Sequence, residues 1–551
     1  MQVLDYVVVV AYLGFVVALG LHFSKRQKDT ERYYTGGRRI PSWAVGMSIL
    51  ATLISSITFL AYPGWGYAGN WILLVQGLMV PIVLIGLIWF IVPMYRKVIG
   101  ISAYEYFEKR FGFFGRIYGS VAFSFAHFTK MGTVFFLLAL AFATMTGLGN
   151  HVFAGISGTY WVIIVLGVLV ILYTLLGGIE AVVWCDVIQG FMLVTGGLIC
   201  VAVLLFVPEG GPVAVLTKVW ANNKINMGPL GVGFKPWHLD LVHMTTIVLI
   251  INGIFYAIQK YGTDQTIVQR FLLSKTDKGA IKAALMGALL CVPIWTLFMF
   301  IGSCLWAFYD TSTQPILTHL SPEKMLPAGV EGDKVFPHFI MAQLPMGISG
   351  LILAALCAAA LSSLDSDLNC LSAIGVEDYY RRARPNSTDK QRLFAGRVIV
   401  AVCGIFAICI ACAYVKMGGK AVLGTVFALY AVFSGGIAGM FILGFFTTRT
   451  NKNGLYVGIA ACVLFTAYAV LTSTKFDLGM RNEEGEVVKQ LIFDFKGWNF
   501  PHHKFMLQVY SNLVLFGVGY LASFLFRTDK SIRDLTFYGW REKRRQEQPT
   551  A

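Results

Sequence analysis

Apolar residues run along this chain in long unbroken stretches, with the polar residues gathered between them rather than alternating with them. A helix that crosses a bilayer needs about 20 mostly apolar residues. Applied to the 551 residues, that length predicts thirteen helices, near 4–24, 41–67, 70–95, 117–147, 156–176, 181–207, 241–268, 281–309, 337–375, 394–415, 420–446, 454–472 and 505–527. The longest polar loops fall near 208–240, 310–336 and 473–504. An odd number of crossings puts the two termini on opposite sides. The chain opens with Asp5 inside an apolar run, without a basic segment before it or a cleavage pattern after it. That run reads as the first helix rather than a removed signal peptide.

Composition removes the soluble alternatives. Apolar residues make up 57% of the chain and charged residues 13%, with a mean hydropathy of +0.68. Soluble domains carry about a quarter charged residues, so this chain must face lipid over most of its area. The expected fold is all-α and polytopic, with residues 1–551 forming a single membrane domain.

The net charge of +15 changes the picture through its distribution. Basic residues cluster in alternate loops, from Lys25 to Arg39, Arg96 to Arg116, Arg270 to Lys282 and Arg381 to Arg397, and in a tail that ends at Arg545. Those loops hold about thirty basic residues against roughly a dozen in the others, the positive-inside bias. The N-terminus is therefore expected outside and the C-terminus inside, in a plasma (inner) membrane. A nucleic-acid footprint would gather on one soluble face instead, so no nucleic-acid partner is expected. The ten cysteines are scattered, and the Cys409–Cys412 pair sits in an apolar run, where packing is the expected role.

Two helices carry polar residues in mid-membrane. The second contains Ala51-Thr52-Leu53-Ile54-Ser55-Ser56-Ile57-Thr58, followed by Pro63-Gly64. Small hydroxylated residues with helix breakers close by suit a discontinuous helix, whose freed carbonyls need a partner such as a cation. Close helix packing by small residues is the competing account. In the ninth, Ala359, Ser362, Ser363 and Ser366 share one helical face, and Asp365 and Asp367 lie beside them. Acids within a membrane mark ion pathways or partner a cation, and hydroxyls with a carboxylate are the hard oxygen ligands such a cation prefers. The alternative is a helix that ends early, with both acids solvated at its mouth.

Three further charges stand out. Asp186 begins the sixth predicted helix and could be an interfacial cap. Lys130 lies inside the run Phe123 to Ala143, too far from either end to reach water by snorkelling, and is a candidate solute contact. Lys260 lies nearer the basic side, where it can contact solute, pair with Asp264 or snorkel.

Taken in order, several stretches resemble the sodium/solute symporter family. They are Ser42 to Gly46, Ala51 to Phe59, Ser102 to Phe111, Gly177-Gly178-Ile179-Glu180, Trp184 to Gly190, Gly262 to Arg270 and Ala359 to Ser366. The first half is most similar to bacterial sialic acid symporters, and the Gly262–Arg270 run also looks like sodium/glucose cotransporters. The resemblance implies a LeuT-type core of two inverted five-helix repeats over 41–207 and 241–446. Residues 1–40 would add a flanking helix and loop, 447–527 two flanking helices, and 528–551 a cytoplasmic tail. It implies a sodium site made by the carbonyls of Ala51, Ile54 and Ala359 and the hydroxyls of Ser362 and Ser363. A second sodium, present in some members, would use Asp186, Ser362, Asp365 and Ser366. The family often has a hydroxylated residue where this chain has Asp365.

On the solute side, Ser55 and Thr58 match the family's contacts, and Lys130 stands where the sialic acid symporters have an arginine for the substrate carboxylate. Lysine keeps the charge and loses the bidentate fork. Their glutamine aligns with Gly77, with Gln76 adjacent, and Lys260 and Tyr261 complete the expected set. The sugar contacts of glucose cotransporters fall near Leu290 and Ala428, both apolar. The expectation is a sodium-coupled importer of a small polar solute, an anionic sugar such as sialic acid or another carboxylate, with a monomer as functional unit. Rivals are a symporter of a neutral sugar and a sodium-independent facilitator or channel. A membrane enzyme lacks support, because no nucleophile–base pair or metal-spaced His/Asp/Glu cluster is present in the sequence.

Overall fold

A computed structural model of the chain describes residues 2–228, 240–310, 326, 332–417, 435–481, 487–527 and 530–547. The long apolar runs form helices: α1 (Val3–Ser24), α2 (Ser42–Leu53), α3 (Ser56–Ala68), α4 (Ile72–Val98), α5 (Phe113–Thr146) and α6 (Gly158–Phe206). They continue as α7 (Thr246–Gly262), α8 (Gln265–Leu273), α9 (Asp277–Tyr309), α10 (Ile348–Ile374) and α11 (Asp389–Lys416). The last are α12 (Ile437–Phe446), α13 (Lys452–Ser473) and α14 (Lys504–Ala522). Among the described residues, nine helices are long and apolar enough to cross a membrane, and α2 with α3, bent by 57°, makes a tenth.

Length and composition of the described residues do not reproduce thirteen separate runs, for three reasons. The runs expected at 156–176 and 181–207 are two helices that meet without a loop inside the 49-residue span α6. Its kink is at Gly178, whose φ of +57° is open to glycine, and Tyr33 packs too close there for a Cβ. The run expected at 241–268 is broken into α7 and α8 at Thr263-Asp264. Most of the run at 420–446, Ala428 included, lies outside the described residues.

The second run breaks at Ile54-Ser55, inside the stretch Ala51 to Thr58, and Pro63 and Gly64 lie inside α3. The run expected at 337–375 begins as a separate helix, Gly332–Gln343, before α10. Beside the helices, two short antiparallel hairpins join Val152–Phe153 to Ile156–Ser157 and Lys475–Arg481 to Val487–Leu491.

The core is organised around α10, which is buried along nearly its whole length. It packs against α6, α1, α5 and α11 and touches both halves of the broken α2/α3 pair and α8. A helix buried on every side should be apolar all round. Instead α10 carries Ser362, Ser363, Asp365, Ser366, Asp367, Asn369 and Ser372, all buried, so each must find a partner inside the protein.

Candidate functional site

The break between α2 and α3 exposes backbone. A helix end leaves its last carbonyls without intrahelical amides, and here those carbonyls face mid-α10. The Ser362 hydroxyl lies 3.0 Å from the Ala51 oxygen and 3.1 Å from the Ala359 oxygen, and the Ser363 hydroxyl lies 3.4 Å from the Thr52 oxygen. Ile54 is extended and buried, and Ser55, also extended, caps α3 by accepting from the Ile57 amide. Leu50, Ala51, Ile54, Gly190, Ala359 and Ser362 line a small cavity beside this junction. The five residues expected to hold one cation are therefore brought together. Their neutral oxygens, with hydroxyl protons free to turn away, form a donor set that fits a hard monovalent cation.

A second cluster lies deeper along α10. Asp186 is not an interfacial cap: it is fully buried within α6, accepts from Ser48 at 2.5 Å and pairs with Arg270 at 3.0 Å. Its other oxygen has no hydrogen-bond partner among the described residues. Arg270 also donates to Ser366 at 2.7 Å and to the Thr266 carbonyl at 2.6 Å. Asp365 accepts from Tyr173 at 2.8 Å and from Ser366 at 3.3 Å. Asp186, Asp365 and Ser366 are thus tied into one cluster through Arg270 and Ser366, and Thr52, 3.1 Å from Ser366, links it to α2. The acids are not solvated at a helix mouth, because α10 runs on for two turns beyond them.

A third cluster joins α5, the α7/α8 break and α10. Lys130 Nζ lies 3.1 Å from Asp367. His127, one turn earlier on α5, places Nδ1 2.8 Å from Asp367 and Nε2 3.3 Å from Asp264. Asp264 caps α8 by accepting from the Thr266 amide and holds Lys260 at 2.5 Å. The remaining expected contacts scatter. Ser55 and Thr58 are buried at the break. Gln76 donates to Asn252 at 2.9 Å. Gly77 makes room for Trp295, whose ring would stand 2.5 Å from an added Cβ, so a glutamine side chain there has no space. Tyr261 is buried, and its hydroxyl has no partner among the described residues.

Sequence reasoning missed His127, Ser48, Tyr173 and Arg270 as members of these clusters. His127 had a signal, since three residues before Lys130 puts it on the same helical face. Arg270 closed a recognised stretch, but nothing local showed that it points inward.

Comparison with known proteins agrees with this architecture. The sodium:solute symporter family model matches residues 33–461. The sodium/sialic acid symporter NanT of Aliivibrio fischeri is 35% identical over 84% of this chain and 86% of its own. The sodium/sialic acid symporter SiaT of Proteus mirabilis is 32% identical over 84% and 88%. A sodium/glucose cotransporter of Vibrio parahaemolyticus is 28% identical over 84% of each. A substrate-bound, outward-open Na+-coupled sialic acid symporter, whose structure revealed a novel Na+ site, superposes with a TM-score of 0.78 at 29% identity, covering 96% of this chain and 99% of that one. The nucleobase-cation symporter Mhp1, at 16% identity and a TM-score of 0.58 over 92% and 98%, shares the fold.

Proposed function

The chain belongs to the sodium:solute symporter family, and we propose that it imports a small anionic solute of the sialic acid class with sodium. It is a multi-pass membrane transporter, not an enzyme, with a LeuT-type fold and Na+ as the coupling ion. The observation that carries the anionic reading is Lys130: a lysine in the middle of a 34-residue helix, one-fifth exposed, one turn from Val134, whose carbonyl accepts from Ser56 beside the α2/α3 break. Its Nζ holds the fully buried carboxylate of Asp367 at 3.1 Å, and a solute carboxylate would take that place.

In this reading the carbonyls of Ala51, Ile54 and Ala359 and the hydroxyls of Ser362 and Ser363 hold the first sodium. It then ties the broken helix to α10, in place of the hydroxyl-to-carbonyl bonds that join them here. A second sodium would use Asp186, Ser362, Asp365 and Ser366. Arg270 already supplies a cation to Asp186 and Ser366, so that site requires the guanidinium to move aside. Ser55, Thr58, Gln76, Lys130, Lys260 and Tyr261 are the proposed solute contacts. Sodium that favours the solute-binding arrangement raises solute affinity, and solute raises sodium affinity by the same factor. Inward movement of each charge gains about 2.3 kcal/mol per 100 mV of membrane potential. The N-terminus lies outside and the C-terminus inside an inner membrane, residues 1–551 act as one transport domain, and a monomer suffices.

One observation favours a neutral sugar instead: Lys130 already has Asp367, so a solute need not bring an anion. Sodium-driven uptake of a labelled panel into proteoliposomes separates the two. Sialic acid and other carboxylates should be carried and should compete with one another. Transport of a neutral sugar alone would replace the anionic reading.

A further inference from the structure

His127 stands between two carboxylates. Nδ1 faces Asp367 at 2.8 Å and Nε2 faces Asp264 at 3.3 Å, in a site where His127 is 5% exposed and Asp367 is fully buried. A neutral imidazole has one N–H and one lone pair. One of these two contacts would then set a lone pair against a carboxylate oxygen with nothing between them, in surroundings of low dielectric. The geometry is satisfied when both ring nitrogens donate, as in the imidazolium. The Phe123 ring stacks on the imidazole with centroids 3.8 Å apart and an interplanar angle of 25°, which also suits a cation.

Every element packed around the ring contributes to the balance. Lys130 comes from α5, Lys260 and Asp264 from the α7/α8 junction, and Asp367 from α10. Tyr104, Gln259 and Ile437 line a small cavity together with the ring, the Tyr104 hydroxyl donating to the Thr263 carbonyl at 3.2 Å. With His127 neutral, two lysines meet two carboxylates and the charges cancel. With His127 protonated, three cations meet two anions, and the cluster carries one uncompensated positive charge beside the residue proposed to meet the solute.

We propose that His127 is a proton-binding site, and that its proton and the carboxylate of an anionic solute bind together, each supplying the charge that the other lacks. The proton comes from water and adds to a ring nitrogen; no bond to solute forms or breaks. This rests on the anionic reading of the solute. By reciprocity, solute affinity rises as the proton binds, and solute binding retains the proton.

The test uses the full chain in proteoliposomes, with labelled sialic acid as probe and a sodium gradient, over about pH 5 to 8. The apparent KM of the wild type should climb with pH, approaching about tenfold per unit on the alkaline limb. His127→Asn and His127→Gln should flatten that dependence. A flat profile in the wild type, or the same slope in a variant that is folded, overturns the proposal. If sialic acid is not carried at any pH, the reading of the solute fails, and the proton site is decided separately by nitrogen NMR of histidine-labelled protein in sodium buffer. His127→Asn identifies the signal in that experiment. Both nitrogens protonated at the acid end of that pH range uphold the site, and a ring that stays neutral throughout it overturns it.

Discussion

The Ser362 hydroxyl donates to the Ala51 carbonyl at 3.0 Å, tying residues 311 apart in the chain, one on α10 and one at the end of α2 beside its break from α3. That bond satisfies a carbonyl stripped of its helical amide, and it is the contact a sodium ion would replace. Removing the hydroxyl takes away one ligand that bulk water cannot supply in a dry site. Ser362→Ala should raise the sodium concentration for half-maximal uptake about tenfold, near 1.4 kcal/mol. Ser363→Ala should act in the same direction and less, since its hydroxyl lies farther off, at 3.4 Å from Thr52. Sodium titration of uptake by each variant checks this, and unchanged sodium dependence in both would remove the site.

Asp365 and Asp186 test the second sodium. Asp365→Ser restores the hydroxyl common in the family and leaves Tyr173 only the Leu361 carbonyl, at 3.5 Å, as acceptor. If Asp365 completes a sodium site, the sodium Hill coefficient and the charge moved per solute should both fall. Reversal-potential measurements read the second quantity. Were both to stay at wild-type values, Asp365 would be a structural acceptor for Tyr173. Asp186→Asn should also lower folded-state stability, by about 3–5 kcal/mol, because it leaves the buried Arg270 without a counter-charge.

Substitution of Lys130 tests the class of solute. Lys130→Gln should raise the KM for acids at least tenfold, while Lys130→Arg, which keeps the charge, should retain part of the uptake. Thermal unfolding of the purified variants is the control. Near-normal solute affinity in Lys130→Gln with lost thermal stability would make the Lys130–Asp367 pair structural and bring the neutral sugar forward.

Legibility in the sequence varied with distance along the chain. The discontinuity near Ser55 and the shared face of Ala359, Ser362, Ser363 and Ser366 were legible because both are local patterns. The break at Thr263-Asp264 was not, since Asp264 reads locally as a lysine partner and becomes a helix cap only when the chain turns. Lys130 pairs with Asp367 across 237 residues, and no local rule separates Asp365 from Asp367 two positions away. The recognised stretch Ser102–Phe111 has a structural explanation. Glu105 accepts the amides of Gly100, Ile101 and Ser102, and Arg110 donates to the carbonyls of Gly444, Thr447 and Thr450.

Within that stretch, Glu108 supplies a pH prediction outside the spans. Partial burial pushes its carboxyl up from 4.5, but the hydrogen bonds and charges of Arg116, at 2.6 Å, and Arg382 outweigh it, and the net direction is down. A depressed carboxylate stabilises the fold above its unfolded value and loses that contribution as pH falls through the folded value. Acid unfolding should therefore show a loss of about 1 kcal/mol below pH 4.5 that Glu108→Gln lacks. Melting curves across that range would show it, and equal acid sensitivity in the variant would assign the loss elsewhere.

The most direct measurement of the central claim is accumulation of labelled sialic acid in proteoliposomes against its own gradient, driven only by an inward sodium gradient. Uptake should overshoot equilibrium with sodium outside, vanish when potassium replaces it, and become efflux when the sodium gradient is reversed. Uptake that reaches the same level with potassium, and never exceeds equilibrium, would contradict sodium-coupled import of this solute.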